Sequence, residues 1–172
     1  SNQMNATVKP KATILDLDAM MDRKMNDVET IPDFINPPAG LYMLGVDKCA
    51  VEKYDAKDES GNRTIKAQRI RVTYKVVQTI DHDQNEQPVA DGTLFSQTFN
   101  ATEQGLEYFK KAASVILDVE DFEEASIGDV IQGVTEAEPF CAKITIQTSK
   151  GEGNRVYENL RVNRGQLPKE AE

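Results

Sequence analysis

The stretch from Arg69 to Val76, RIRVTYKV, alternates without a break. Ile70, Val72, Tyr74 and Val76 point one way in a strand, and Arg69, Arg71, Thr73 and Lys75 point the other. A period of two cannot serve a helix, so this segment commits the chain to a half-buried sheet. One side can join a core. The other lays three cations in a row.

The setting makes that row unusual. The 172 residues carry 20 Lys and Arg against 29 Asp and Glu, a net charge of −9. Residues 62–79 nevertheless hold five cations (Arg63, Lys66, Arg69, Arg71 and Lys75) and no anion, whereas residues 80–142 hold two cations and 14 anions. The mean charge argues against indiscriminate coating of nucleic acid. The local charge permits a defined groove for a polyanion.

The length suits one domain with a real core. Cys49 and Cys141 are the only cysteines, each in a strand-like run without a CxxC or Cys/His cluster, and are expected as buried free thiols in a reducing compartment. No apolar run is long enough for a membrane helix, and no signal peptide is expected. These features point to the cytoplasm and to no membrane partner.

Residues 1–36 read as an arm. A short helix is expected from Ala12 to Val28, with Leu15, Met20 or Met21, and Met25 at roughly helical spacing, before the prolines of IPDFINPPAG. Residues 37–165 read as the domain proper and 166–172 as a tail. Five strands are expected: Leu41–Tyr54 with a bend at Gly45, Ile65–Thr79, the short TLFSQTF, FCAKITIQT and RVYENLRV. Asn100 is expected to cap a helix with Glu103 as its capping-box partner and Leu106, Phe109, Ala113 and Ile116 as its apolar face. SIGDVIQGV reads as a turn or small strand. The order β-β-β-α-β-β, with a long bent first strand and a closing hairpin, describes a mainly β chain with a few helices: a five-stranded OB-fold barrel with an N-terminal helical arm.

The basic side of the second strand has a counterpart in the fifth, where Arg155, Tyr157 and Arg161 share a face. Single-strand binders combine cations for phosphates with aromatic rings for bases. Lys53 and Lys66 extend the cationic set. Tyr54 borders the first loop, a usual ligand contact in this fold. Phe95 and Phe99 share one face of the third strand and are either core or stacking platform. Chemistry for an enzyme is sparse. Asp16 and Asp18 have the spacing of a phosphohydrolase motif, but Ala19 and Met20 stand where Gly-Thr is usual. The lone His82 between Asp81 and Asp83 is ordinary for a polar loop. No cofactor and no catalytic residue are expected.

With PAGLYMLGV leading into the first strand, RIRVTYKV, the helix GLEYFKKAASVIL and the ending NRVYENLRV, residues 38 to about 164 resemble the small OB-fold single-stranded DNA-binding proteins of tailed bacteriophages. The resemblance implies sequence-independent binding of single-stranded DNA in phage replication, recombination or repair. It also implies a host-cell cytoplasm, replication proteins such as polymerase and helicase as partners, and an oligomeric state left open. It places the contacts on Arg69, Arg71, Lys75, Arg155, Tyr157 and Arg161. The alternative is an OB-fold protein-interaction module, such as a phage accessory or host-takeover factor, whose acidic surface does the binding.

Overall fold

A computed structural model of the chain describes residues 14–169. The chain divides into two units, residues 1–32 and 33–172. The first unit holds one helical turn, α1 (Leu17–Met20), and a 3-10 turn at Met25–Asp27. Asp16 caps α1 by accepting a hydrogen bond from the Asp18 amide at 3.0 Å. The longer helix expected to Val28 does not form, and residues 12 and 13 of it lie outside the described residues. Leu17, Met21 and Met25 are each more than two-thirds exposed, so no packed face rewards continuing the helix.

The second unit holds β1 (Gly40–Lys57), β2 (Thr64–His82), β3 (Leu94–Asn100), α2 (Glu103–Leu117), α3 (Ile127–Thr135), β4 (Phe140–Lys150) and β5 (Val156–Arg164). The strands form one antiparallel sheet in the order β3-β2-β1-β4-β5. The expectation of a mainly β chain holds. The sheet is not closed into the expected barrel: among the described residues β3 and β5 remain the two edges, with no ladder between them. A side chain spans that gap instead, as Gln97 of β3 donates to the Leu160 carbonyl of β5 at 3.1 Å. At its other end β3 is covered by residues 33–35, through Leu94 N–H to Asp33 O at 2.8 Å and Ile35 N–H to Leu94 O at 2.9 Å.

The β1–β2 ladder breaks register at Leu41/Tyr42, Met43/Leu44 and Val46/Lys48, on both sides of Gly45. Each irregularity adds twist and bends the pair. β1 consequently meets β4 only through Gly40–Leu44 and elsewhere runs with β2 alone. Beyond Arg69, the last β2 residue paired with β3 in that direction, Lys53–Lys57 and Thr64–Gln68 project as a two-stranded ribbon. Its turn is closed by Asp58, whose carboxylate accepts from the Ser60 hydroxyl at 2.7 Å, with Gly61 at φ +76°.

The alternating faces converge on one core of Tyr42, Leu44, Val72, Tyr74, Val76, Phe95, Ala142 and Ile144, closed by Phe109, Ala113 and Ile116 of α2 and Val134 of α3. Tyr74 stacks on Phe95 at 4.9 Å, and its hydroxyl donates to Gln97 Oε1 at 2.8 Å. Burial pushes the phenol of Tyr74 well above its usual range and that of Tyr42 up to about 12. Cys49 is buried, and burial raises its thiol to about 11; Cys141 is half-buried, and both are free.

Two helix expectations are corrected. Thr102, not Asn100, caps α2, accepting from Gly105 N–H at 3.0 Å. Asn100 is already committed, its backbone opposite Arg69 in the ladder and its side chain bonded to Tyr54. Gly105 is required there, because a Cβ would fall 1.9 Å from the Asn100 carbonyl. Residues 127–135, read as a turn or small strand, form α3. Ser126 and Asp129 make a reciprocal capping box, Asp129 N–H to Ser126 Oγ at 3.0 Å and Ser126 N–H to Asp129 Oδ2 at 3.1 Å.

Candidate nucleic-acid interface

The alternation of β2 delivers Arg69 and Arg71 to the outer face of the sheet, opposite Glu52 of β1. Both guanidinium groups bind this one carboxylate. Arg71 reaches it through Nε and through Nη2 at 2.9 Å, and gives Nη1 to Ser96 Oγ at 2.7 Å. Arg69 reaches it through Nε alone, so its terminal nitrogens stay clear of the bridge. Its guanidinium lies 4.3 Å over the Tyr54 ring, and the Tyr54 hydroxyl donates to Asn100 Oδ1 at 3.2 Å. The hydrogen bond from Arg71, and then that from Arg69, holds the Glu52 carboxyl down near 2. Two cations on one anion leave this patch a net positive charge.

Asn100 joins this patch to a cleft of 530 Å³ between the open edges of β3 and β5, backed by α2. Its polar lining includes Asn100 from β3, Gln104, Tyr108 and Lys111 from α2, and Arg161 from β5. Phe99, Ala112, Val115, Leu160 and Val162 give it an apolar floor. Among the described residues no Asp or Glu lines it, although the chain carries 29 of them. Among the described residues, neither Lys111 nor Arg161 makes an ion pair, and Tyr108 is 58% exposed. The chemistry on offer is two unneutralised cations, an accessible ring and a row of amide groups. That set suits phosphates and unpaired bases.

The expected site residues therefore divide. Arg69, Arg71 and Tyr54 come together beside Glu52, and Arg161 lines the cleft that Asn100, bonded to Tyr54, also lines. Phe95 and Phe99 are 0% and 8% exposed, and Phe99, in the cleft floor, packs edge-on to Phe109 at 5.7 Å, so both belong to the core and neither presents an open ring as a stacking platform. Lys53 and Lys66 fall on the opposite side of the ribbon from Arg69, and Lys66 is bridged to Asp55. Lys75 lies at the other end of the paired stretch, 3.7 Å from Asp47. Arg155 sits in the β4–β5 turn. Tyr157 lies against that turn, where a Cβ on Gly151 would meet its ring at 2.1 Å.

Reading the strands alone misses Tyr108 and Lys111. Their signal was present: Gln104, Tyr108 and Lys111 recur at helical spacing on the side of α2 away from its buried stripe. Asn159, Arg161 and Asn163 likewise alternate on β5. Arg164 falls on the other side of β5 and is structural: it stacks on Phe140 and donates to the Val115 and Ile116 carbonyls at the end of α2. His82 turns back on its own loop, 2.7 Å from the Asp83 carbonyl. Among the described residues no helix is long and apolar enough to cross a membrane. No family model, curated protein or solved structure matches the chain.

Proposed function

We propose that this chain is a non-enzymatic, sequence-independent single-stranded DNA-binding protein built on an OB-type fold. The observation that carries the reading is the carboxylate-free cleft between β3 and β5, with Lys111 and Arg161 unpaired among the described residues and Tyr108 exposed. The fold supports it. A sheet in the order β3-β2-β1-β4-β5 with a helix between β3 and β4 is one pairing short of a closed OB barrel, a fold that is itself often partly open. DNA would run from the Tyr54–Arg69 patch past Asn100 into the cleft. Phosphates would meet Arg69, Lys111 and Arg161, and a base stacked on Tyr108 would contribute about 1–3 kcal/mol. A role in phage replication, recombination or repair, with polymerase or helicase as partners, belongs to the same proposal.

The test is the pair of reversals Lys111→Glu and Arg161→Glu together. Both side chains are exposed, so the fold should survive. Affinity for oligo-dT should fall by more than about tenfold, and the salt slope should shrink by roughly 1.4, about 0.7 for each phosphate no longer neutralised. Unchanged affinity in a folded double variant would remove the cleft from the account.

A second reading is favoured by one observation. The cations of β2 are bridged to Asp47, Glu52 and Asp55. A stripe whose cations are all engaged within its own fold suits an OB-type protein-interaction module, whose binding would be indifferent to oligonucleotide length.

A further inference from the structure

We infer that Glu52 is a built-in competitor for the nucleic acid, an internal carboxylate that occupies Arg69 and Arg71 and sets how tightly the site holds a phosphate backbone. The inference rests on the single-strand-binding reading above and names what regulates that site. Glu52 stands opposite Arg69 in the ladder and binds both guanidinium groups, so it sits where a backbone phosphate would. A carboxylate and a phosphate ester present the same pair of acceptor oxygens to an arginine. The bridge is only partly buried, with Glu52, Arg69 and Arg71 side chains between a quarter and a third exposed, so a strand on the outer face can reach it.

The two arginines are held unequally. Arg71 spends Nε and Nη2 on Glu52 and Nη1 on Ser96, which fixes it. Arg69 spends only Nε, and its terminal fork makes no hydrogen bond among the described residues. An incoming phosphate would first take that fork, then face repulsion from the Glu52 charge. Arg69 would have to leave Glu52, or the phosphate would have to share it. Either way the carboxylate lowers affinity, and it cancels one of the two cations seen by a polyanion. Glu52→Gln separates charge from position, because the amide oxygen still accepts from arginine while the repulsion is gone.

The experiment titrates about 30-nucleotide oligo-dT into wild type and Glu52→Gln across a salt series by fluorescence anisotropy. The expected result is about three- to tenfold tighter binding by E52Q at low salt, with a slope steeper by roughly 0.7, one further counterion released. Equal or weaker binding by E52Q, with wild type still binding, would overturn the inference and leave the binding reading standing. No binding by either protein at low salt would overturn the binding reading and the inference with it. Should E52Q fail to fold, the wild type carries a second measurement: the Arg69 and Arg71 Nε–H resonances should shift as oligo-dT is added. Resonances that stay fixed while DNA binds would equally overturn it.

Discussion

Phe95 shows how one side chain can belong to either of two stories until its partner is known. It stacks on Tyr74, whose hydroxyl is satisfied by Gln97, which in turn bonds across to β5. Truncating Phe95 to alanine should cost about 3–5 kcal/mol, the range for large aromatic deletions in a packed core, read as a drop in the urea unfolding midpoint. Tyr74→Phe should cost about 1–3 kcal/mol, because Gln97 would keep a buried acceptor without its donor. A Phe95→Ala protein as stable as wild type would contradict the packing described. Glu52 makes a prediction in pH. Its folded-state value, near 2, lies below the ordinary 4.5, so the folded state releases this proton more readily than the unfolded chain. Its contribution is complete above about pH 4.5 and is lost as pH falls toward 2. The stability gap between wild type and Glu52→Gln should therefore close between those values. A gap that stays constant down to pH 2 would show that the bridge has no such linkage.

At the scale of elements, strands announced themselves in the sequence far better than the second helix of the sheet unit did. RIRVTYKV and FCAKITIQT alternate because one face of each is buried; both lie inside observed strands, β2 running well past the alternation at both ends and β4 starting at the same residue. Residues 127–135 hid because IGDVIQGV mixes β-branched residues with two glycines, which lowers intrinsic helix preference; the Ser126–Asp129 box was the legible signal. The cap of α2 was misplaced for a different reason: whether Asn100 or Thr102 caps depends on how far β3 continues, and tertiary pairing decides that. The ribbon of β1 and β2 offers an element-level test. Asp55 and Lys66 face each other, so Asn-Gly in place of residues 56–65 would close a two-residue hairpin. The trimmed chain should melt within a few degrees of wild type, since the removed residues are mostly exposed, and should keep its oligo-dT affinity, since Tyr54 and Arg69 remain. A collapse in melting temperature would mean the ribbon supports the sheet.

For the whole molecule, charge is arranged rather than abundant. A net charge of −9 coexists with a cleft that no carboxylate lines among the described residues. Of the residues read from the sequence, Arg161 lines that cleft, while Arg69 and Arg71 lie on the neighbouring Glu52 patch; the cleft itself was not legible. A cleft between β3 and β5 exists only because the sheet stops short of closing, and closure is set by bulges and helix packing rather than by any local pattern. The same limit explains the cations that were assigned to the groove and sit elsewhere: Lys53, Lys66 and Lys75 read as one cationic set, while pleat and register send them to other sides or other partners.

The measurement that tests the central claim most directly is the binding of labelled oligo-dT to the wild-type chain at low and moderate salt, with duplex DNA as competitor. The account predicts salt-sensitive binding that duplex competes poorly, because an exposed ring beside amide groups and cations suits unstacked bases. Absence of binding at low salt, or binding indifferent to salt and to oligonucleotide length, would contradict it.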